Sequence, residues 1–197
     1  MNKNIPVRTI YIKNMVSNRD IRLLKEELEK TKSVTVHKVE LGKAEISIDE
    51  KKLPFKKIGE LLHQNGFELL QDKEDQIVEQ IKIAVLELFF YGNNANTIIR
   101  NSDYLSDKLG IPYVQISKVF SERTHHTLEK YIILVKIERV KELLSYDELT
   151  LSEISYMMGY SSVQYLSNQF KQITGYSVTD YKQKKISGRI PLDSLLD

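Results

Sequence analysis

Two kinds of hydrophobic spacing divide the chain. Over residues 8–70, apolar and polar positions alternate in short runs, which is typical of half-buried strands. Two stretches between these runs carry apolar residues every three or four positions, which predicts helices. From residue 77 onward the helical spacing predominates. The pattern therefore predicts an α+β domain followed by an all-α domain.

The first domain has the pattern strand, helix, strand, strand, helix, strand. Alternation predicts strands over residues 8–13, 33–41, 43–49 and 67–70. Ser17 or Asn18 is expected to cap the first helix, and Leu53 and Pro54 to begin the second. The resulting order, βαββαβ, is the ferredoxin-like arrangement of a sheet with two helices on one face.

The second domain contains one helical arrangement twice. Two helices that cross through a tight turn need a small residue, a glycine at the turn and a branched apolar residue between them. This set occurs as Ser106, Gly110 and Ile116 and again as Ser155, Gly159 and Leu166. The spacing from Phe120 to Phe170 equals that from Tyr131 to Tyr181, and the second turn has one extra residue. We therefore predict two helix-turn-helix units, over about residues 103–124 and 151–172, joined by a long helix over residues 127–145.

This duplicated arrangement resembles the AraC-type (AraC/XylS) family of transcription regulators, whose DNA-binding part is two helix-turn-helix units joined by a long helix. The resemblance covers roughly residues 76–185. It is carried by Ile137, Glu138, Arg139, Lys141, Glu142, Leu143 and Leu144 in the joining helix, and by residues 149–159 with Phe170, Lys171, Thr174, Gly175 and Tyr181 in the second unit. The resemblance implies a transcription regulator with double-stranded DNA as its partner.

Three positions depart from the family pattern. Val178 stands where the family usually has proline, and His125 stands where the first unit usually has glycine. Asn168 occupies a position where a basic residue is common. These departures leave the expected fold unchanged and weaken any inference about the DNA target from the resemblance.

The outer faces of the two recognition helices are the predicted DNA-binding surface. The candidate residues are Val114, Ser117, Lys118 and Ser121 in the first unit, and Ser162, Val163, Gln164, Ser167, Asn168 and Lys171 in the second. Lys136 and Arg139 of the joining helix are expected to reach phosphates, although charges on a helix are also common as solvated surface. Ser117, Lys118, Gln164 and Asn168 are expected at base edges, because amides match adenine and lysine matches guanine in the major groove.

The first domain resembles a heavy-metal-associated domain through its length, its strand order, Met15 and the turn at residues 65–68. The two metal-binding cysteines of that family correspond here to Ser17 and Asp20, and neither offers the soft thiolate that Cu(I) requires. We therefore expect no metal there and interpret the two residues as a helix-capping box. By fold analogy, this domain is expected to form a homodimer or to sense a small-molecule effector.

Composition narrows the possible functions. The chain has 197 residues, 41% of them hydrophobic and 28% charged, as in an ordinary globular protein of one or two domains. It has no cysteine, which excludes disulfides, thiol catalysis and thiolate metal sites. The four histidines lack the spacing of a zinc site, and no nucleophile elbow or phosphate-cradling loop occurs. We therefore predict no catalytic residues, no enzymatic activity, no metal and no cofactor.

Long apolar runs and short polar runs are the sequence features that predict localisation and domain limits. No signal peptide or membrane-spanning run is found, so a cytoplasmic protein without a membrane partner is expected. The polar run at residues 71–76 marks a boundary. We predict a first domain over residues 1–71, a linker over 72–76, the DNA-binding domain over 77–185 and a tail over 186–197, whose last segment is expected to be mobile or loosely packed.

Two alternatives to DNA binding stay open. The net charge of +2 is low for a DNA-binding protein, which leaves a protein-interaction module on a degenerate helix-turn-helix scaffold as the alternative function. A metal-responsive sensor is the weaker third hypothesis. The operator, the effector, the oligomeric state and the choice between activation and repression are open at this stage.

Overall fold

The computed structural model describes residues 5–91, 100–183 and 188–196, and the chain divides into two compact units, Met1–Ile83 and Ala84–Asp197. The first unit contains β1 Val7–Lys13, α1 Asn18–Lys30, β2 Val34–Glu40, β3 Lys43–Ile48, α2 Lys56–Gln64 and β4 Glu68–Leu70. Helix α3, Lys73–Leu86, follows it. The second unit contains α4 Asn101–Leu109, α5 Tyr113–Thr124, α6 Leu128–Tyr146, α7 Leu151–Met157, α8 Val163–Thr174 and α9 Val178–Gln183. The predicted α+β then all-α order is confirmed.

The sheet of the first unit has the strand order β2-β3-β1-β4, and each neighbouring pair is antiparallel. Ile10 lies opposite Ala44 of β3, and Ile12 lies opposite Leu69 of β4. Both isoleucines are buried in one core with Leu24 of α1 and with residues of α2. The alternation along β1 therefore separates a core-facing side from an exposed side, and the predicted βαββαβ fold is confirmed.

The capping box predicted at the start of α1 is present. The Ser17 backbone N–H donates to Asp20 Oδ2 at 2.8 Å, and the Asp20 backbone N–H donates to Ser17 Oγ at 3.4 Å. Both side chains at the positions of the missing cysteines therefore stabilise the helix start. Among the described residues, no group of three or more histidine, aspartate or glutamate side chains is placed to hold a metal ion.

Backbone geometry explains why α2 and β2 start later than predicted. Helix α2 begins at Lys56 and not at Leu53 or Pro54, because the Pro54 carbonyl accepts from the Lys57 N–H in a tight turn that precedes the helix. Strand β2 begins at Val34, because Ser33 has a left-handed φ of 76° that no strand residue adopts.

Helix α3 includes part of the run that was predicted to be a linker. It begins at Lys73 and continues past Ile83, where the division between the two units lies. A π-helical turn, Glu87–Tyr91, follows it directly. The domain limits given above therefore stay a prediction.

The core of the second unit is built on the joining helix α6, whose length exceeds that of every other described helix. The predicted inward residues Ile116, Phe120, Leu166 and Phe170 are all fully buried. Leu128 and Tyr131, at the start of α6, are also buried. Further along α6, Ile137, Val140 and Leu144 belong to the same hydrophobic cluster as Leu166 and Phe170. No described helix has both the length and the apolar character needed to cross a bilayer.

The segment after α9 is packed more firmly than predicted. Lys141 Nζ donates to the Gly188 carbonyl at 2.7 Å, and the Ile190 N–H donates to Glu138 Oε2 at 3.1 Å. Leu195 is buried. A buried ion pair on α6, Lys141 Nζ to Glu138 Oε1 at 2.6 Å, therefore anchors the described part of the tail. The loose packing expected for the tail is wrong for these residues.

Candidate nucleic-acid interface

The two helix-turn-helix units are built on the same turn. Gly110 follows α4 and Gly159 follows α7, and each has a left-handed φ of 66°. A side chain is disfavoured in that conformation, which explains the glycine at both positions. The second turn is one residue longer, as predicted, since α5 begins three residues after its glycine and α8 begins four residues after its glycine.

The ends of the two candidate recognition helices also match bond for bond. The Thr124 hydroxyl donates to the Phe120 carbonyl at 2.7 Å, and the Thr174 hydroxyl donates to the Phe170 carbonyl at 2.8 Å. Each threonine oxygen then accepts from a backbone N–H two residues further on. Equivalent threonines, Thr124 and Thr174, therefore cap the ends of the two helices in the same way.

The residue after each threonine has a left-handed backbone. Gly175 has a φ of 79°, which costs glycine nothing, and His125 has a φ of 58°. The second departure from the family pattern therefore keeps the helix end but holds a non-glycine residue in a strained conformation.

An aromatic pair fastens each recognition helix to the helix that follows it. The ring centroids of Phe120 and Tyr131 are 5.4 Å apart, and those of Phe170 and Tyr181 are 5.3 Å apart. Val178 occupies the first turn of α9, where the backbone N–H has no helical partner. Proline is tolerated at such a position but is not required there. This departure leaves the packing of the second unit intact.

The outer face of α5 is exposed but not uniformly free. Val114 is 81% exposed, and the Lys118 side chain is 70% exposed and lies 3.9 Å from Glu122 Oε1. Ser117 and Ser121 are half-buried, and the Ser121 hydroxyl donates to the Ser117 carbonyl at 2.9 Å. Val114 and Lys118 are thus the two predicted residues of this helix that project furthest into solvent.

The outer face of α8 presents a pair of amides. Gln164 Nε2 donates to Asn168 Oδ1 at 2.8 Å, and both side chains are exposed, as is Lys171. Val163 and Ser167 are half-buried. Ser162 is the helix cap, since its hydroxyl accepts from the Tyr165 N–H at 3.1 Å.

One residue on each helix was missed by sequence reasoning. Tyr165 is 53% exposed on α8, and Gln115 is exposed at the matching position of α5. The internal repeat was the signal that could have found them, because both directly follow a predicted contact residue in the same register.

The two predicted phosphate contacts on α6 have partners inside the unit. Lys136 Nζ lies 4.8 Å from the centroid of the Tyr160 ring and 5.3 Å from that of Phe89, and burial lowers its pKa. Arg139 forms an ion pair with Glu142 and lies 5.3 Å over the Phe90 ring. Their role at phosphates stays a prediction, with the geometry placing them half-buried against aromatic rings.

The charge of the two helices favours an anionic partner. Helix α8 has no carboxylate, and α5 has only Glu122, which faces Lys118. A surface made for a basic protein partner would carry several carboxylates. The two faces instead combine hydroxyls, amides and lysines, which are the groups that contact DNA bases and phosphates.

The helix-turn-helix domain family matches residues 105–184 of this chain. The chain is similar to the Xylose operon regulatory protein of Escherichia coli (strain K12), with 29% identity over 109 residues, which covers 55% of this chain and 27% of that protein. It is also similar to an HTH-type transcriptional regulator in the cgkA 5' region of Pseudoalteromonas carrageenovora, with 27% identity over 124 residues, which covers 62% of this chain and 72% of that protein. The chain thus spans about a quarter of the length of the first of these relatives.

Among solved structures, the chain is similar to the C-terminal domain of AraT, a response regulator from Geobacillus stearothermophilus. The TM-score is 0.49 at 20% identity, and the match covers 59% of this chain and 92% of that structure.

Proposed function

We propose that this chain, whose residues 105–184 match the helix-turn-helix domain family, is an AraC-type regulator that controls transcription by binding a specific site on duplex DNA. Each recognition helix, α5 and α8, enters the major groove. The two grooves lie about one helical turn, ~34 Å, apart on the same DNA face. The family is one of transcription regulators and not of enzymes.

The observation that carries this proposal is the pairing of two matching helix faces. Each scaffold buries its inner residues completely and leaves the first turns of its recognition helix in solvent. Val114 and Lys118 occupy on α5 the positions that Gln164 and Asn168 occupy on α8. Two reading surfaces in the same local frame are what two successive grooves require.

The amide pair of α8 is suited to adenine. With Gln164 Nε2 already donating to Asn168 Oδ1, the Gln164 carbonyl remains an acceptor and the Asn168 amide remains a donor. Adenine presents the complementary acceptor N7 and donor N6 in the major groove. The hydrogen bond between the two amides also holds both side chains in place before DNA binds.

The lysines supply the attraction that does not depend on sequence. Lys171 is exposed on α8 and is proposed to contact phosphates beside the groove, whereas Lys118, exposed on α5, keeps its proposed place at a base edge. Lys136 and Arg139 are proposed to add phosphate contacts from α6. A protein with so small a net charge depends on such local placement of cations.

For the N-terminal unit, Met1–Ile83, we propose dimerisation or the sensing of a small molecule in a cytoplasmic regulator. The groove between α2 and β4 supports the sensing function. It has a volume of about 700 Å³, and its lining includes Phe55, Gly59, His63 and Leu69. Gly59 lines it without a side chain, and a Cβ added there would be in ordinary van der Waals contact with Leu69 Cδ2 at 3.8 Å.

Selection of genomic fragments by the full-length chain, followed by fluorescence anisotropy on the recovered duplex, tests the DNA-binding function. We expect sequence-selective affinity that falls steeply with salt. Asn168→Ala should weaken binding to the selected site by about 1–3 kcal/mol and relax its base preference, whereas Lys171→Ala should weaken all duplexes alike and lower the salt slope by about one.

Lys51→Ala, which removes the same charge from an exposed position of the first unit, is the matched control and should leave affinity unchanged. Binding that is independent of sequence, or absent, would favour the protein-interaction alternative.

A further inference from the structure

Val114 is an apolar side chain in a place where packing does not explain it. At 81% exposure it is the most exposed large hydrophobic residue in the described part of the chain. It is the second residue of α5, directly before Gln115 and two residues before the fully buried Ile116. A branched side chain on a solvated helix gains neither burial nor helix propensity. Its side chain is therefore available to contact a partner that binds this face.

The internal repeat shows what Val114 replaces. Ile116 matches Leu166 and Phe120 matches Phe170, so Val114 matches Gln164. Both positions lie in the first turn of a recognition helix, the part that reaches base edges when such a helix enters the major groove. The first helix-turn-helix unit therefore presents the two methyl groups of Val114 where the second presents the amide of Gln164.

The chemistry of the major groove leaves one match for those methyl groups. Guanine, cytosine and adenine present hydrogen-bond donors and acceptors there, whereas thymine adds a 5-methyl group. A valine over a donor or acceptor would leave that polar group without its water, which is unfavourable. A valine over the thymine methyl removes apolar surface from water on both sides.

We propose that Val114 recognises the 5-methyl group of a thymine, so that the two recognition helices select unlike base pairs and the two halves of the operator differ. This inference rests on the proposed DNA-binding function. Lys118 lies one turn further along the same side of α5, since it is four residues on, and contacts the same stretch of DNA.

The test replaces thymines of the selected operator by deoxyuridine, one position at a time, which removes the 5-methyl group and leaves base pairing unchanged. Affinities of the full-length chain are measured by anisotropy for each duplex. At one thymine in the half contacted by α5, the wild-type chain should bind the deoxyuridine duplex about fourfold more weakly, the value expected for one buried carbon group.

Val114→Ala should bind the thymine duplex more weakly and should lose the difference between the two duplexes. Because Val114 is exposed, this variant should keep its helix content, which circular dichroism measures. Gln164→Ala is the matched control at the same position of the other unit. It should weaken both duplexes equally and keep the fourfold ratio.

The possible outcomes separate this inference from the function beneath it. Selective DNA binding with no deoxyuridine effect in that half, or with the same ratio in Val114→Ala, overturns the thymine contact and leaves the regulator function standing. A chain that binds no duplex selectively overturns both. Loss of the ratio in Val114→Ala alone establishes the contact.

Discussion

The two helix-turn-helix units differ least where they are buried and most where they are exposed. Their turn glycines have the same φ, their closing threonines make the same hydrogen bonds, and their phenylalanine and tyrosine rings are spaced almost equally. On the outer faces, Val114 is matched by Gln164 and Lys118 by Asn168. The duplicated scaffold thus presents two outer faces of different chemistry.

The caps of the recognition helices show where the scaffolds themselves differ. Ser162 caps α8 through its hydroxyl, whereas Pro112 precedes α5 without a side-chain hydrogen bond. At the other end, Gly175 relaxes α8 and His125 strains α5. Both differences make the ends of α8, in the second helix-turn-helix unit, more stable than the ends of α5. The joining helix α6 holds Gly188 and Ile190 of the tail through Lys141 and Glu138.

The largest expected effects come from the ring that anchors each recognition helix. Phe120→Ala and Phe170→Ala should each lower the free energy of unfolding by about 3–5 kcal/mol, because each removes a fully buried ring that packs on a tyrosine. Urea denaturation followed by the helical circular dichroism signal measures both.

Val114→Ala serves as the surface control for these two variants and should change stability by no more than about 0.5 kcal/mol. If one phenylalanine mattered far less than the other, the two buried rings would not contribute equally to the stability of their units, and this prediction would be refuted.

The second prediction concerns the buried Glu138–Lys141 ion pair of α6, which contacts Gly188 and Ile190 of the tail. Lys141→Met should cost about 3–5 kcal/mol, because the Glu138 carboxylate would stay buried without its cation. It should also expose the segment after α9 to proteolysis, which mass spectrometry of limited digests detects. Replacing both residues together, as Glu138→Leu with Lys141→Met, should recover much of the loss.

The pair Lys57–Glu60 is the matched control, with the same spacing along the helix and the same 2.6 Å distance but with both side chains in solvent. Lys57→Met should leave stability and digestion unchanged. A Lys141→Met variant as stable as the wild type would show that the tail is not anchored by this pair.

Periodicity and stereochemistry made much of this scaffold predictable. Ile116, Phe120, Leu166 and Phe170 follow from the helical period, and Gly110 and Gly159 follow from the need for a left-handed turn. The capping box of Ser17 and Asp20 follows from its three-residue spacing. Each of these depends on residues close together in the chain.

Contacts between distant residues were not predictable in the same way. Lys136 packs on Phe89 and Tyr160, far apart in sequence, so a lysine expected at phosphates lies half-buried against rings. Glu138 and Lys141 were recognised as family positions, but their link to Gly188 depends on how the chain returns after α9. The hydrogen bond between Gln164 and Asn168, by contrast, has the spacing of one helical turn and was within reach of sequence reasoning.

The smallest expected effects test the strain at the ends of the recognition helices. His125→Gly should raise the free energy of unfolding by about 0.5–1 kcal/mol, since relief of a left-handed backbone, about 1–2 kcal/mol, is offset by the greater freedom of glycine in the unfolded chain, about 0.4–1 kcal/mol. Gly175→Ala should lower it by about 0.5–1 kcal/mol, which is the backbone strain less the freedom that alanine removes from the unfolded chain, because the added Cβ meets no atom within 4 Å beyond its own local backbone. Gly59→Ala, in helix α2 and without a left-handed φ, is the control and should not destabilise. Urea midpoints compared at one temperature measure all three. A destabilised His125→Gly would mean that the histidine side chain stabilises the fold by more than its backbone strain costs. The ends of α5 and α8 would then be stabilised by different interactions.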